Sequence, residues 1–203
     1  MARSTGGHFM VRMEDLDMVV SRRDIADGQL RDLAANGLDW DGPVVFQSER
    51  LDLYRDALPR LTSAGLTYPC FCTRREIREA ASAPNGAAQP DGAYPGTCRH
   101  LDRRARRQRE ADGRPPAIRL RAEVGASIGF NDARCGWVEA VIDDVVLVRN
   151  DGVFAYNLAV VVDDAAQSVG QVVRGDDLLL STPRQIYLAG VLGLPIQIGR
   201  AHV

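Results

Sequence analysis

Two short apolar runs that end in charged residues limit the folds open to this chain. Ala159 to Val162 is continuously apolar and stops at Asp163-Asp164, and the valine-rich run Val169 to Val173 stops at Arg174. Such runs are typical of the buried elements of a parallel sheet. In open α/β sheets, the ligand crevice lies at the carboxyl ends of the strands. We therefore expect an α/β fold with Arg174 at its binding edge.

Arg174 has two interpretations at this stage. The planar guanidinium group can bind a carboxylate or phosphate through two parallel hydrogen bonds, which suits a substrate site. Alternatively, Arg174 pairs with Asp176 in the Arg-Gly-Asp-Asp turn and only supports the fold. The residues alone do not choose between these two roles.

The composition narrows the functional classes. All 25 basic residues are arginine, so no mechanism that needs a lysine can operate within this chain. The net charge of −2 does not indicate nucleic-acid binding, so an RNA-binding surface would have to be a local patch. No run approaches the roughly 18 apolar residues of a membrane-spanning helix, and no secretory signal is recognisable, so we expect a cytoplasmic location. Four cysteines in that setting favour thiols or metal ligands over disulfides.

The pattern of caps and periodicities predicts the remaining elements. One helix is expected from Ser21, with Asp24 as a capping-box partner, Ile25, Leu30 and Leu33 on the buried side, and Asn36-Gly37 at its end. A second is expected from Ser48, with Tyr54 in the core, and a third from Thr73, with Glu76 as its capping partner. A further helix is expected from Thr182, with Gln185 completing a capping box and Gly193 at its end. Strands are expected at these positions: His8 to Met13, Leu66 to Tyr68, Ala117 to Arg121, Val138 to Ile142 and Val145 to Arg149, with Asp143-Asp144 joining the last two. Ala83 to Ala93 is rich in Pro, Gly and Ala and is expected to be a loop of low order.

Several long segments, in order, resemble one enzyme family. They are VRMEDLD (Val11 to Asp17), QSERLDLYRDAL (Gln47 to Leu58), CFCTRREI with YPGTCR (Cys70 to Ile77, Tyr94 to Arg99), and the run from Tyr156 to Gln185. Together they resemble the class I glutamyl-tRNA synthetases, and most closely the glutamyl-Q tRNA(Asp) synthetases. The resemblance extends from about Gly6 to Pro195, and several motifs in order are far more specific than any one of them.

The resemblance implies a Rossmann-like class I aminoacyl-tRNA synthetase core, here incomplete, with an inserted zinc-binding α+β subdomain. Residues 1–68 and 150–203 would form the two parts of the nucleotide-binding fold. Residues 69–149 would form the insertion, whose strands face the tRNA acceptor side in the family.

The resemblance also implies a binding site for L-glutamate. Glu14 would contact the amino group of glutamate, while Tyr156 and Arg174 would contact the rest of it, with Arg174 pairing with the side-chain carboxylate. The alternatives are an acidic, helix-capping loop at Glu14 and a core aromatic residue at Tyr156.

Three cysteines form a candidate metal site. Cys70, Cys72 and Cys98 could supply three thiolates to a tetrahedral zinc ion, whose structural sites are closed by four ligands. The glutamyl-Q enzymes imply Tyr94 as the fourth ligand, whereas some full-length glutamyl-tRNA synthetases imply His100. We favour Tyr94 and expect one structural zinc. The alternative is three reduced thiols without a metal, and Cys135 is expected to be an ordinary thiol.

The segment from Arg99 to Arg109 is the most concentrated basic run. It is expected to form a helix just after the zinc loop. Such a helix could follow an RNA phosphate backbone, or it could be a solvated helix face. No aromatic residue lies within the run, so base stacking is not indicated.

Two ATP signatures of class I synthetases are not found in the 203 residues. These are a His-x-Gly-His-like loop, which would bind phosphate at a helix N-terminus, and a lysine-rich loop near the end of the nucleotide fold. We therefore expect a sequence truncated at both ends, without measurable glutamate activation. The tail Ile198 to Val203 is expected to depart from the family pattern.

The predicted function is ATP-dependent activation of L-glutamate and its transfer to the queuosine base of tRNA(Asp). The expected partners are L-glutamate, ATP and tRNA(Asp), without a membrane, and the protein is expected to be a monomer. Two alternatives stay open: a fragment of a canonical glutamyl-tRNA synthetase, or a non-catalytic, zinc-stabilised module that binds glutamate or RNA.

Overall fold

The computed structural model describes residues 2–81, 93–196 and 200–202. The expected loop from Ala83 to Ala93 therefore lies outside the described residues except for Ala93, and so do parts of the tail from Ile198 to Val203. The chain divides into two compact units, Met1–Leu53 and Tyr54–Val203. The division into three sequence segments stays a prediction.

The first unit is a small β-α-β arrangement. Strand β1 (Arg12–Met13) pairs in parallel with β2 (Val45–Phe46), and helix α1 (Arg23–Ala35) lies between them in the chain. One buried residue from each element forms its core: Met13, Ala26 and Phe46. The parallel pairing agrees with a Rossmann-like unit, in which a helix connects neighbouring parallel strands.

Two predictions in this unit are wrong in detail. Helix α1 begins after Arg22, which makes no side-chain capping bond, and the Asp24 carboxylate accepts hydrogen bonds from the Arg22 guanidinium instead of acting as a capping-box partner for Ser21. Ile25 is 49 % exposed, and Ala26 occupies the buried position. The helix ends as predicted, since Gly37 follows it with a φ of 74°.

The second unit contains most of the regular structure, and it begins within helix α2 (Leu51–Ser63). The other helices are α3 (Arg74–Ala81), α4 (Arg103–Ala111), α5 (Tyr156–Ala166) and α6 (Ser181–Leu192). The strands are β3 (Thr67–Cys70), β4 (Ala117–Leu120), β5 (Ser127–Asp132), β6 (Gly136–Val141), β7 (Val146–Val148), β8 (Val172–Arg174) and β9 (Arg200–His202).

These strands form two sheets. The order β3-β4-β7 gives an antiparallel sheet that carries the first two cysteines of the candidate metal site at one end. The order β6-β5-β9-β8 gives a mixed sheet, in which β5 and β6 form an antiparallel hairpin and β9 is parallel to both β5 and β8. Strand β5 was not predicted, because only Ile128 and Phe130 give it an apolar alternation.

The apolar run Ala159 to Val162 is helical, which corrects its interpretation as a sheet element. It forms the centre of α5, where every residue from Leu158 to Asp164 is buried. A short, fully apolar run does not distinguish a buried helix from a buried strand, because neither leaves a periodic polar face. Tyr54 confirms its predicted core position: it is fully buried and donates to the buried Asp163 carboxylate at 2.7 Å.

Within the described residues, no helix is both long enough and apolar enough to span a bilayer.

Candidate metal centre and substrate site

Three sulfur atoms and one phenolic oxygen come together at the end of β3. The Sγ atoms of Cys70, Cys72 and Cys98 all lie within 4.8 Å of one another. The Oη atom of Tyr94 lies 3.3 Å from Cys70 Sγ and 3.7 Å from Cys72 Sγ. Cys70, Cys98 and Tyr94 are each less than 5 % exposed, so the group is closed from solvent on most sides.

Local structure explains how distant parts of the chain reach this point. Cys70 is the last residue of β3, and Cys72 directly precedes Thr73, the residue before helix α3. That helix is capped as predicted: Glu76 accepts from the Thr73 hydroxyl at 2.8 Å, and Thr73 Oγ1 accepts from the Glu76 backbone N–H at 3.2 Å. The second pair of candidate ligands comes from one tight turn, in which the Cys98 backbone N–H donates to Tyr94 Oη at 2.8 Å.

The dimensions of the group fit a tetrahedral metal ion. With Zn–S bonds of about 2.3 Å and Zn–O bonds of about 2.0 Å, tetrahedral angles place two sulfurs about 3.8 Å apart and a sulfur and an oxygen about 3.5 Å apart. Cys72 Sγ and Cys98 Sγ are 3.5 Å apart, and the two sulfur–oxygen distances to Tyr94 lie on either side of the expected value. The donor set of three sulfurs and one oxygen could therefore hold zinc.

Close packing also changes the acidity of these groups. Hydrogen bonds with Cys72, and next with Cys98, lower the pKa of the Cys70 thiol. The hydrogen bond with Cys70 raises the pKa of Cys72. Burial raises the pKa of the Tyr94 phenol, and the hydrogen bond with Cys70 raises it further. A bound metal ion favours the deprotonated form of its ligands, so it would oppose the rise in the pKa of Cys72 and Tyr94.

The alternative ligand His100 and the remaining cysteine, Cys135, lie elsewhere. His100 is exposed and does not belong to the group of His, Cys, Asp and Glu side chains that gather here among the described residues. Cys135 is exposed and is likewise outside the group. The geometry thus brings Tyr94, rather than His100, to the three sulfurs, although the ligand roles themselves stay predictions.

Two adjacent carboxylates support the turn that carries Tyr94, and the sequence had suggested only that they join two strands. Asp143 accepts from the Tyr94 backbone N–H at 3.0 Å and from Arg184 Nε at 2.5 Å. Asp144 is 5 % exposed and accepts from the Tyr68 hydroxyl at 2.6 Å and from Arg99. The signal that could have revealed this role is an acidic pair between two apolar strands.

A basic side chain covers the Tyr94 ring. The guanidinium carbon of Arg119 lies 3.7 Å from the ring centre, and Arg119 Nη1 donates to the Asp144 carbonyl oxygen at 2.6 Å. Cation–π contacts of this kind are stronger when they are desolvated, and Arg119 is only 7 % exposed.

The candidate glutamate site in the second unit is organised around Arg174, the last residue of β8. Arg174 Nη1 donates to Tyr156 Oη at 3.1 Å, and Nη2 donates to Thr182 Oγ1 at 2.6 Å. Tyr156 begins helix α5, and Thr182 lies in the first turn of α6. Three elements therefore fix the direction of one guanidinium group, whose planar shape matches a carboxylate.

The position of Thr182 corrects its predicted role as the helix cap. Helix α6 begins at Ser181, and Leu180, at the cap position, makes no side-chain capping bond. Thr182 is fully buried, with its hydroxyl oxygen accepting from Arg174. Gln185 does not complete a capping box, and its side-chain amide donates to the Asn157 oxygen at 3.2 Å. The helix does end at Gly193 as predicted, with a φ of 65°.

Glu14 lies in the first unit, directly after β1. Its side chain is 47 % exposed and approaches Arg12 at 4.0 Å. The neighbouring Asp15 has a structural role, since its carboxylate accepts from the Ser48 backbone N–H at 2.9 Å and from the Ser48 hydroxyl at 2.6 Å. Ser48 is therefore held by Asp15, and α2 begins three residues later, at Leu51.

Comparison with known proteins identifies the family to which this chain belongs. Residues 1–202 match the sequence model of the family described as tRNA synthetases class I (E and Q), catalytic domain. The chain belongs to this family. The match also covers residues 198–202, which corrects the expectation that the tail departs from the family pattern.

Curated relatives of the same family carry one name. The glutamyl-Q tRNA(Asp) synthetase of Nocardia farcinica is 59 % identical over 202 residues, which is 100 % of this chain and 63 % of that protein. The enzyme of that name from Cutibacterium acnes is 56 % identical over 196 residues, covering 95 % of this chain and 54 % of that protein. The chain thus spans about half to two thirds of the length of these relatives.

Solved structures of the family share the fold. The glutamate tRNA ligase of Elizabethkingia meningosepticum, solved in complex with its amino acid, has a TM-score of 0.80 and 26 % identity. The match covers 100 % of this chain and 43 % of that one. The predicted fold class, a Rossmann-like class I synthetase catalytic core, is confirmed.

Proposed function

We propose that this chain forms the glutamate-binding and metal-binding parts of an ATP-dependent ligase that transfers L-glutamate to the queuosine base of tRNA(Asp). The observation that carries this proposal is the fixed Arg174 guanidinium group, held by Tyr156 and Thr182. Further support comes from two relatives named glutamyl-Q tRNA(Asp) synthetase, at 59 % and 56 % identity.

Each residue has a defined role in this proposal. Arg174 pairs with the side-chain carboxylate of glutamate, Tyr156 contacts the bound amino acid beside it, and Glu14 accepts a hydrogen bond from the ammonium group. The α-carboxylate of glutamate then attacks the α-phosphate of ATP, which gives glutamyl-adenylate and pyrophosphate. The residues of this chain contribute mainly position and charge, and we assign no general acid or base.

Zinc has a structural role in the proposal, with Cys70, Cys72, Tyr94 and Cys98 as its ligands. When bound, the ion would cross-link the end of β3 to the turn that contains Tyr94 and Cys98. We also propose that the protein works in the cytoplasm as a monomer, with L-glutamate, ATP and tRNA(Asp) as its substrates.

The test is calorimetric titration of the purified chain with L-glutamate and, separately, with L-glutamine. We expect glutamate to bind and glutamine to bind at least about tenfold more weakly, because glutamine lacks the charge that pairs with Arg174. Arg174→Ala should abolish this preference, and Arg174→Lys should weaken it, since lysine lacks the planar fork. The control is Arg149→Ala, which removes an arginine paired with Asp151 at the surface. Equal binding of both amino acids by the unmodified chain would contradict the proposal.

A canonical glutamyl-tRNA synthetase is the second candidate, because the solved neighbours include glutamate tRNA ligases. Protein purified from its natural source should charge queuosine-containing tRNA(Asp) in preference to tRNA(Glu) if the first proposal is correct. The reverse preference would favour the second candidate. Glutamate or RNA binding without glutamate-dependent pyrophosphate exchange would favour a non-catalytic binding module.

A further inference from the structure

Helix α4 carries a high positive charge that does not favour the stability of the helix itself. It carries five arginines within nine residues: Arg103, Arg104, Arg106, Arg107 and Arg109. Several of them are three or four positions apart, where like charges on a helix repel. Arg103 and Arg104 also lie in the first turn, where the helix dipole favours acidic side chains over basic ones.

Many other arginines in the protein pair with a carboxylate, and the arginines of α4 differ from them. Arg75 pairs with Glu79, Arg114 with Glu76, and Arg99 with Asp144. Within residues 2–81, 93–196 and 200–202, no carboxylate lies at ion-pair distance from an arginine of α4.

Two acidic residues adjoin these arginines in the chain. Glu110 lies within α4, and among the described residues it forms no ion pair with an arginine of the helix. Asp102, which precedes the helix, has a different role. Asp102 accepts a hydrogen bond from the Ala105 backbone N–H at 2.7 Å and so caps the helix. Its carboxylate serves the backbone rather than the arginine side chains that follow it.

The side chains also present a continuous surface. Arg103, Arg104 and Arg107 are exposed and, with Gln108, line a shallow open depression. On a helix with 3.6 residues per turn, these positions lie on one side. The surface thus offers three guanidinium groups and one amide to a single extended partner.

We propose that this surface, defined by Arg103, Arg104, Arg107 and Gln108, binds the phosphate backbone of an RNA. A polyanion would supply the missing counter-charge, and each planar guanidinium group matches a phosphate. The helix contains no aromatic residue, so the surface binds the backbone without stacking on bases. The proposal depends on the proposed function only for the identity of that RNA as a tRNA.

The test measures RNA binding by fluorescence anisotropy with the 203-residue chain, between about 50 and 200 mM salt. The variant Arg103→Gln/Arg104→Gln/Arg107→Gln removes the surface charge. The matched control, Arg22→Gln/Arg31→Gln/Arg75→Gln, removes three exposed arginines elsewhere. Circular dichroism verifies that both variants fold. The ligands are transcripts of tRNA(Asp) and tRNA(Glu), an RNA duplex of unrelated sequence, and poly-L-glutamate.

We expect the α4 variant to bind all three RNAs about tenfold or more weakly. Its plot of log affinity against log salt should become shallower by about two to three, because each of the three lost phosphate contacts removes roughly 0.7–0.9 from the slope. The control variant should retain most of the affinity and the slope.

Three results would overturn the proposal: equal losses in both variants, no RNA binding by the unmodified chain, or binding of polyglutamate in preference to RNA. The last result would assign the surface to an acidic protein segment. The unrelated duplex separates this proposal from the proposed function. A uniform loss on all RNAs supports the α4 surface even if the protein charges a tRNA other than tRNA(Asp).

Discussion

The carboxylate of Asp143 accepts a hydrogen bond from the backbone N–H of Tyr94 at 3.0 Å. The same carboxylate accepts from Arg184 Nε, and Arg184 lies in helix α6 two residues after Thr182. One side chain therefore connects the turn of the candidate metal centre to the helix that contacts Arg174.

Replacing Asp143 with asparagine should destabilise the second unit. The change removes the charge that pairs with Arg184, whose side chain is 22 % exposed while that of Asp143 is 11 % exposed. Hydrogen bonds to a charged group contribute about 1.5–3 kcal/mol, so we expect a loss of roughly that size in the free energy of unfolding. Urea denaturation measures this change in the free energy of unfolding.

The control Glu139→Gln changes an exposed carboxylate bonded to Ser127 and should lower the free energy of unfolding by less than about 0.5 kcal/mol. Equal effects of the two substitutions would contradict the connecting role of Asp143.

Metal content distinguishes the possible fourth ligands. We expect one zinc ion per chain by elemental analysis, and its loss in Cys72→Ser, because structural zinc sites need four ligands. Tyr94→Phe should weaken zinc binding by about tenfold or more, since it removes the phenolic oxygen that lies 3.3 Å from Cys70 Sγ. His100→Ala and Cys135→Ser should bind zinc like the unmodified chain. Zinc loss in His100→Ala with retention in Tyr94→Phe would reverse the assignment.

Thr182→Val tests how Arg174 is oriented. Valine has a shape similar to threonine but cannot accept the hydrogen bond that Thr182 Oγ1 accepts at 2.6 Å. We expect glutamate affinity to fall by about fivefold, which corresponds to the net contribution of one hydrogen bond of about 1 kcal/mol. Calorimetric titration measures the change in glutamate affinity.

Thr62→Val is the control, because Thr62 is exposed and donates to the Leu58 carbonyl oxygen. Unchanged affinity in Thr182→Val would show that Arg174 is oriented by other contacts.

The capping box of α3 should respond to acid. Hydrogen bonds from the Thr73 backbone N–H and the Thr73 hydroxyl lower the pKa of Glu76 from 4.5 to about 2. A carboxyl group whose pKa is lowered by folding stabilises the fold above its unfolded-state pKa. That contribution falls as the pH drops below about 4.5 and is lost once the pH passes below about 2.

The measurement compares the unmodified chain with Glu76→Gln, which retains a capping side chain but cannot titrate. The thermal midpoint of the unmodified chain should fall more steeply than that of the variant between pH 4.5 and pH 2. Parallel acid titrations of the two proteins would contradict the assigned role of Glu76.

The sequence alone predicts those parts of the site that depend on local spacing. Cys70 and Cys72 are separated by one residue, and Tyr94 and Cys98 lie within one turn, so each pair has limited freedom to move apart. The Thr73–Glu76 box is equally local, and its hydrogen bonds are confirmed. Resemblance to the family then indicated that the two pairs meet.

The parts that depend on tertiary packing could not be predicted in the same way. Thr182 has the sequence signature of a helix cap, but its hydroxyl oxygen accepts from Arg174, which lies on another element. In the sequence, Asp143 and Asp144 look like a polar connection between two strands. Their supporting role could not be predicted, because their partners are between 22 and 76 positions away in the chain. The central run of α5 is buried on all sides and has no polar face, so its sequence carries no periodicity that would distinguish a helix from a strand.

The arrangement of the candidate ligands has a consequence for protein engineering. Cys70 and Cys72 precede residues 82–92, and Tyr94 and Cys98 follow them, so a bound ion would close this stretch of chain as a cross-link does. The entropy of closing a loop changes slowly with length, by about 0.6 kcal/mol for each doubling. A peptide tag inserted between Asn85 and Gly86 should therefore leave metal affinity nearly unchanged, which makes this position an attachment point for probes.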